Sequence, residues 1–236
     1  MDPVVRDAPL LRGVGDAAAE ALMASMTPVD LARGDVLFSE GDAGDRLYVV
    51  VAGTVKLGRR APDGRENLLA VLGPSEMLGE LSLFDPGPRT ATATAVTRVA
   101  LAGLGPDDLE RWLDGRPEVA RHLLRALARR LRRTNDSVTD LVFTDVPGRV
   151  AKMLLDLADR FGHPAAGASP DGSAAGDDGV RQVPHGLTQE ELAQLVGASR
   201  ETVNKALADF TARGWIRLES RGVVLLDAER LARRAR

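Results

Sequence analysis

Between Pro117 and Phe143 one side of the chain repeats on a seven-residue period. Ala120, Leu124, Leu127, Leu131, Thr134, Val138 and Leu141 follow one another at alternating intervals of four and three, the a/d pattern that winds one helix against another. So narrow a seam fits a partner helix better than the broad apolar face of a globular core. The spacing therefore predicts a parallel dimer built on this helix. Thr134 is the polar exception, and a polar seam residue costs stability unless it fixes register or meets a ligand. Asp145-Val-Pro-Gly148 then breaks the helix, because proline disfavours helical geometry in the residue before it and glycine loosens the next turn. This break is read as a hinge.

The segments on either side have other periods. From about residue 28 to 104, short and often alternating apolar runs are punctuated by Gly34-Asp35, Gly41-Asp42 and Gly44-Asp45, which predicts an all-β sandwich or barrel. Leu47 to Leu57 reads as two strands around Gly53, Asn67 to Gly73 as another, and Ala91 to Leu101, rich in β-branched residues, as a further one. A helix from Asp16 to Met26, capped by Asp16, precedes them. Beyond the break, Arg149 to Phe161 is amphipathic, with Val150, Met153, Leu154, Leu157 and Ala158 on one face. Residues 162–185 have little to bury and are read as a flexible loop. The class is α+β, divided into a β domain over 1–116, the dimerisation helix and hinge over 117–145, and a C-terminal domain over 146–236.

Composition removes several chemistries. The 236 residues contain no cysteine, which excludes disulfides, thiolate metal sites and cysteine nucleophiles. The three histidines, His122, His163 and His185, are too scattered for a metal site, and no phosphate loop or dinucleotide glycine motif occurs, so the chain is read as no enzyme. No run approaches ~20 apolar residues and the N-terminus lacks a basic, apolar leader, which predicts a cytoplasmic protein without a membrane partner. Residues 1–145 carry 18 basic and 22 acidic groups, residues 146–236 carry 13 and 12. The acidity of the whole thus says little about whether the C-terminal part meets an anion.

Leu187 to Phe210 is the most specific segment. Thr188 followed by Glu191 forms a capping box, Gly197 supplies a tight turn, Ser199 caps a second helix, and the small Ala193 lets the two helices approach. Leu192, Val196, Ala198, Val203 and Ala206 are the positions a crossed helix pair must bury. The exposed face then presents Arg200, Glu201, Asn204 and Lys205, which with Thr188, Gln189 and Ser199 make up the candidate DNA contacts. Such a helix-turn-helix reads the major groove, where arginine bonds guanine bidentately and glutamate accepts from a cytosine amine. Trp215 to Leu226 follows as two strands around Ser220-Arg-Gly222, a wing. A solvated charged hairpin of helices would also display Arg and Lys, but not this coincidence of caps, turn, apolar set and wing.

In the β region, Met77-Leu-Gly-Glu-Leu-Ser-Leu-Phe-Asp-Pro-Gly-Pro-Arg-Thr90 joins a helical turn to a strand. The glycine-led turn offers backbone N–H groups, Arg89 a positive charge and Glu80 an acceptor, which suit a sugar phosphate. A salt bridge between Glu80 and Arg89 is the competing reading. The order of β domain, long helix and winged helix-turn-helix resembles the cyclic-AMP receptor protein family of bacterial transcription regulators, especially its actinobacterial members. The likeness is strongest across Phe143 to Lys152 and Ala198 to Leu207, and at Gly79-Glu80-Leu81 and Pro88-Arg89-Thr90-Ala91. It implies a jelly-roll cyclic-nucleotide-binding domain and cyclic AMP as allosteric effector, with no metal. It also implies that Glu80 holds the ribose hydroxyl, and that Arg89 holds the cyclic phosphate with Thr90 and the Gly79–Leu81 backbone. Thr134 from one subunit and Asn135 from its partner would meet the adenine. The implied partners are a second copy, double-stranded DNA with a two-fold pseudo-palindromic site, and RNA polymerase. Lys205 stands where the best-known members place a base-reading arginine, and lysine lacks the rigid fork. The alternatives are a different nucleotide effector on the same fold, or DNA binding without an effector.

Overall fold

A computed structural model describes residues 6–61, 64, 66–164 and 180–236. The chain divides into two compact units between Thr134 and Asn135.

The first unit opens with α1 (Asp16–Ser25). Gly15 is its cap, and Asp16, expected in that role, is instead the first helical residue and pairs with Arg6. Eight strands follow: β1 (Thr27–Leu31), β2 (Val36–Phe38), β3 (Leu47–Ala52), β4 (Val55–Arg60), β5 (Glu66–Leu72), β6 (Met77–Leu78), β7 (Thr92–Ala95) and β8 (Val99–Leu104). They form two four-stranded antiparallel sheets, ordered β1-β8-β3-β6 and β2-β7-β4-β5. The sandwich follows from the period of two. In β3, Leu47 and Val49 enter one core, with α1, Trp112 and Leu123, while Tyr48 and Val50 enter the other, with Val55, Leu57 and Ala93. The turn between β3 and β4 demands Gly53: its φ is 85°, and a Cβ there would stand 2.1 Å from the Arg98 carbonyl oxygen. The one-turn helix α2 (Leu81–Phe84) lies between β6 and β7, and α3 (Pro106–Leu113), unread in the sequence, follows β8. Trp112 of α3 donates its indole N–H to the Leu10 carbonyl at 3.0 Å, fastening the segment before α1.

The long helix α4 runs from Pro117 to Phe143, 27 residues. Val119 and Leu123 are buried, whereas the seam residues Leu124, Leu131, Val138 and Leu141 are 66, 62, 58 and 53% exposed. Within the single chain these four seam positions are thus left uncovered, while Ala120 and Leu127 are half-buried.

The second unit contains α5 (Val146–Phe161), β9 (His163–Pro164), β10 (Arg181–Val183), α6 (Gln189–Val196), α7 (Arg200–Ala212), β11 (Ile216–Glu219), β12 (Gly222–Leu225) and α8 (Ala228–Arg234). All five predicted apolar residues of α5 are buried. The break before it spans Thr144 and Asp145, and Pro147 falls in the first turn of α5, where its missing N–H leaves nothing unsatisfied. The sheet order is β11-β12-β10-β9. The loop expected over 162–185 is corrected at its flanks, while 165–179 lies outside the described residues. Strand β10 pairs with both β12 and β9, Val183 is fully buried, and so is most of His185. Strands of two and three residues are too short to show an alternation, and what places them is the inner edge of the wing hairpin.

Candidate nucleotide cassette and nucleic-acid interface

Two buried, oppositely charged side chains define the first site. Strand β6, paired to β3, delivers the chain to Gly79, whose φ of 79° and hydrogen bond from Arg89 leave no room for a side chain. A Cβ at Gly79 would stand 2.5 Å from Arg89 Nη1. Glu80 stands at the N-terminal boundary of α2, its side chain making no capping hydrogen bond, and is 2% exposed. Its Oε1 accepts from Arg130 Nη1 of α4 at 2.7 Å, and its Oε2 is buried with no partner among the described residues. Arg89 is 3% exposed and lies 4.2 Å over the Phe38 ring. It donates from Nη1 to the Gly79 carbonyl at 2.9 Å and from Nη2 to the Arg46 carbonyl at 2.8 Å, with Asp45 3.5 Å away, while its Nε has no partner among the described residues. Its backbone is clamped too: Arg89 N–H donates to the Asp42 carbonyl at 2.8 Å and Gly41 N–H to the Arg89 carbonyl at 2.9 Å.

The salt bridge considered between Glu80 and Arg89 is therefore not the one formed, because Arg130 takes Glu80. Arg130 escaped the sequence reading, which singled out only the seam residues of its helix and Asn135. Its place one turn before Thr134 was the available signal, and the Thr134 hydroxyl donates back to the Arg130 carbonyl at 3.1 Å. Leu81, Thr90, Thr134 and Asn135 are exposed. A buried carboxylate and a buried guanidinium, each with an open valence, cost on the order of several kcal/mol in desolvation. A ligand that brings an anion and a hydroxyl group together would relieve both.

The second unit carries the other site. Glu191 N–H donates to Thr188 Oγ1 at 3.2 Å and Thr188 N–H to Glu191 Oε2 at 2.7 Å, completing the capping box of α6. Gly197 ends that helix at φ 68° and ψ 46°, and Ser199 Oγ accepts from Thr202 N–H at 3.2 Å to start α7. Thr188, Gln189, Ser199, Arg200, Glu201 and Lys205 are exposed. Asn204, expected on the open face, is half-buried, and its Oδ1 is buried without a partner among the described residues. The reason is its position next to buried Val203, at the margin of the stripe that packs α7 on the domain. Lys205 Nζ holds Glu201 Oε1 at 2.7 Å, whereas Arg200 and the wing-turn Arg221 have no ion pair among the described residues.

Residues 28–116 match the cyclic nucleotide-binding domain and residues 148–234 the Crp-like helix-turn-helix domain. Over 236 residues the chain is 58% identical to the CRP-like cAMP-activated global transcriptional regulator of Mycobacterium tuberculosis H37Rv, covering 100% of both. The chain belongs to the cyclic-AMP receptor protein family. Among solved structures, this family member is similar to the catabolite activator protein of Thermus thermophilus, at a TM-score of 0.53 and 33% identity over 97% of this chain and 98% of that one. It is also similar to the c-di-GMP responsive global regulator CLP of Xanthomonas campestris, at a TM-score of 0.67 and 26% identity over 89% and 99%.

In the second unit of this receptor-family chain, His185 belongs to the packed interior. The Leu187 N–H donates to His185 Nδ1 at 3.0 Å, and burial holds the imidazole pKa below its ordinary value, against an opposing pull from Glu191. Among the described residues there is no helix long and apolar enough to cross a membrane, and no cluster of three or more potential metal ligands.

Proposed function

We propose that the chain is a homodimeric transcription regulator whose affinity for DNA responds to cyclic AMP. The observation that carries this reading is the pair of open valences in the cassette, Glu80 Oε2 and Arg89 Nε, buried beside a glycine turn. A cyclic nucleotide offers a phosphate anion and a ribose hydroxyl at close spacing. In this reading Arg89 holds the phosphate with Thr90 and the Gly79–Leu81 backbone, and Glu80, steadied by Arg130, accepts from the hydroxyl. Thr134 and Asn135 of two subunits contact the adenine across the α4 seam, so one ligand touches both chains and biases how the long helices pair.

The winged domains read a two-fold DNA site. Arg200, Glu201 and Lys205 face base edges, Thr188, Gln189 and Ser199 hold phosphates at helix starts, and Asn204 lies at the edge of the contact. RNA polymerase is the further partner of a DNA-bound regulator of this kind, and the reading places the chain in the cytoplasm without catalytic activity.

Calorimetric titration of the purified protein with cyclic AMP, cyclic GMP and c-di-GMP, with and without operator-like duplex, tests the proposal. Binding of cyclic AMP tightened by DNA is expected. Heat only with c-di-GMP, to which the Xanthomonas regulator responds, would replace the effector. DNA binding of equal strength with and without every nucleotide would overturn the regulatory claim.

A further inference from the structure

We propose that Arg234, in the last turn of the C-terminal helix α8, is a positioning residue that turns the bend between α4 and α5 into a rigid corner, through which nucleotide binding reaches DNA affinity. The proposal rests on the effector reading above. A proline and a glycine beside a helix break suggest a hinge, yet the side chains around this break tie it down from three directions, all within the second unit. Lys152 of α5 pairs with Asp140 of α4. Arg149 donates from Nη1 to the Thr144 carbonyl at 2.7 Å and from Nε to the Val196 carbonyl at 3.0 Å, joining the bend to the end of α6.

The third tie comes from the far end of the chain. Asp145 uses Oδ1 to accept from Gly148 N–H at 2.9 Å, capping α5, and Oδ2 to accept from Arg234 Nη2 at 2.6 Å. One carboxylate thus grips the first turn of α5 and the last turn of α8. Backbone packing repeats the message. Gly148 is buried, and a Cβ on it would stand 3.3 Å from the Arg234 carbonyl oxygen and 2.6 Å from Thr144 Cγ2. Helix α8 is itself well seated, with Asp227 capping it from Oδ1 to Arg230 N–H at 2.9 Å and Leu231 fully buried. The Arg234 and Gly148 hydrogen bonds also hold the Asp145 carboxyl below its ordinary pKa, so it stays ionised and able to grip both ends.

An ion pair this exposed contributes little to stability by itself, so its value lies in direction. A loose bend would absorb a rotation of α4, whereas a corner held at Asp140, Thr144 and Asp145 passes that rotation to the helix-turn-helix.

The test uses the full-length protein and a two-fold duplex that the wild type selects from random sequence. DNA affinity is measured with and without cyclic AMP for the wild type, Arg234→Ala, Asp145→Asn and the double variant. Asparagine keeps an acceptor for the Gly148 N–H while removing the charge. The gain produced by cyclic AMP should fall roughly 2- to 30-fold in each single variant, the range seen for residues along a coupling route. It should fall no further in the double variant, because the two residues act as one pair. Arg234→Lys, which keeps the cation, should recover part of the gain. If Arg234→Ala weakens DNA binding equally with and without nucleotide, leaving the gain intact, α8 merely stabilises the domain and the proposal is overturned. A wild type indifferent to cyclic AMP would instead overturn the effector reading. Hydrogen exchange of the Gly148 amide then decides the corner separately: faster exchange in Arg234→Ala supports the clamp, and equal exchange removes it.

Discussion

At the scale of single residues, Arg89 illustrates how a binding group is kept ready inside a fold. Its guanidinium is held by two backbone carbonyls and a ring face, so its position does not depend on the ligand. Arg89→Ala should therefore have two separable effects. Two carbonyls lose their donor, costing about 1–3 kcal/mol in stability by thermal or denaturant unfolding. Cyclic-nucleotide binding, measured by calorimetry, should weaken by about 100-fold or more, since removing one partner of a buried ionic contact costs roughly 3–5 kcal/mol. Retained affinity in a folded variant would rule out Arg89 as the phosphate ligand. Arg200 and Arg221 should separate base reading from phosphate contact. Arg200→Ala is expected to cost roughly 1–3 kcal/mol on the selected site and to relax one base position per half-site in a competition assay. Arg221→Ala should weaken all sequences alike and flatten the salt dependence. His185 makes the second unit sensitive to acid. Its ordinary pKa of 6.5 applies to the unfolded chain, and burial lowers it in the folded one. Above that pH both states are neutral and no stability is lost. As pH falls below it, the unfolded chain takes up a proton that the folded domain resists, so stability declines until the folded value is passed. Melting curves between pH 7.5 and 5 should show this loss, and His185→Gln, which still offers the Leu187 N–H an acceptor, should reduce it.

Elements differ in how openly the sequence announces them. The α4 seam, the β3 and β4 pair and the α6 and α7 caps were legible because each rests on a local rule: a period, a turn that needs a positive φ, a side chain bonded three residues away. Strands β9 and β10, helix α3 and helix α8 were not, since their placement is decided by partners distant in sequence, such as β12 for β10. The cassette was legible in Glu80 and Arg89, but for Arg130 the sequence offered only its place one turn before Thr134, and its role emerged when folding brought α4 within 2.7 Å of Glu80. Asn204 failed in the other direction, because a helical pattern fixes the centre of a buried stripe better than its margin. The seam itself yields a prediction. Leu131 is 62% exposed and sits at its middle, so Leu131→Asp should leave the folded chain intact while shifting the protein to monomers in analytical ultracentrifugation. Two carboxylates would otherwise face each other across the helix pair. A variant that still sediments as a dimer at micromolar concentration would refute the seam as the interface.

For the whole molecule, regulation asks that a small ligand in one unit alter what another unit does to DNA. On the proposed reading, the cassette would supply the stored electrostatic cost that a ligand relieves, the long helix would connect subunits, and the clamped corner would lead into the reading helix. The same helix has a consequence for gene dosage. Leu124, Leu131, Val138 and Leu141, followed by Val142 and Phe143 at 69 and 82% exposure, leave an uncovered greasy ridge on every unpaired chain. If only the pair is competent, then at concentrations below the pairing constant the active species grows with the square of the chain supply. A cell that halves synthesis there would keep about a quarter of its regulator. The remaining single chains, with their ridges bare, would be the first offered to proteases.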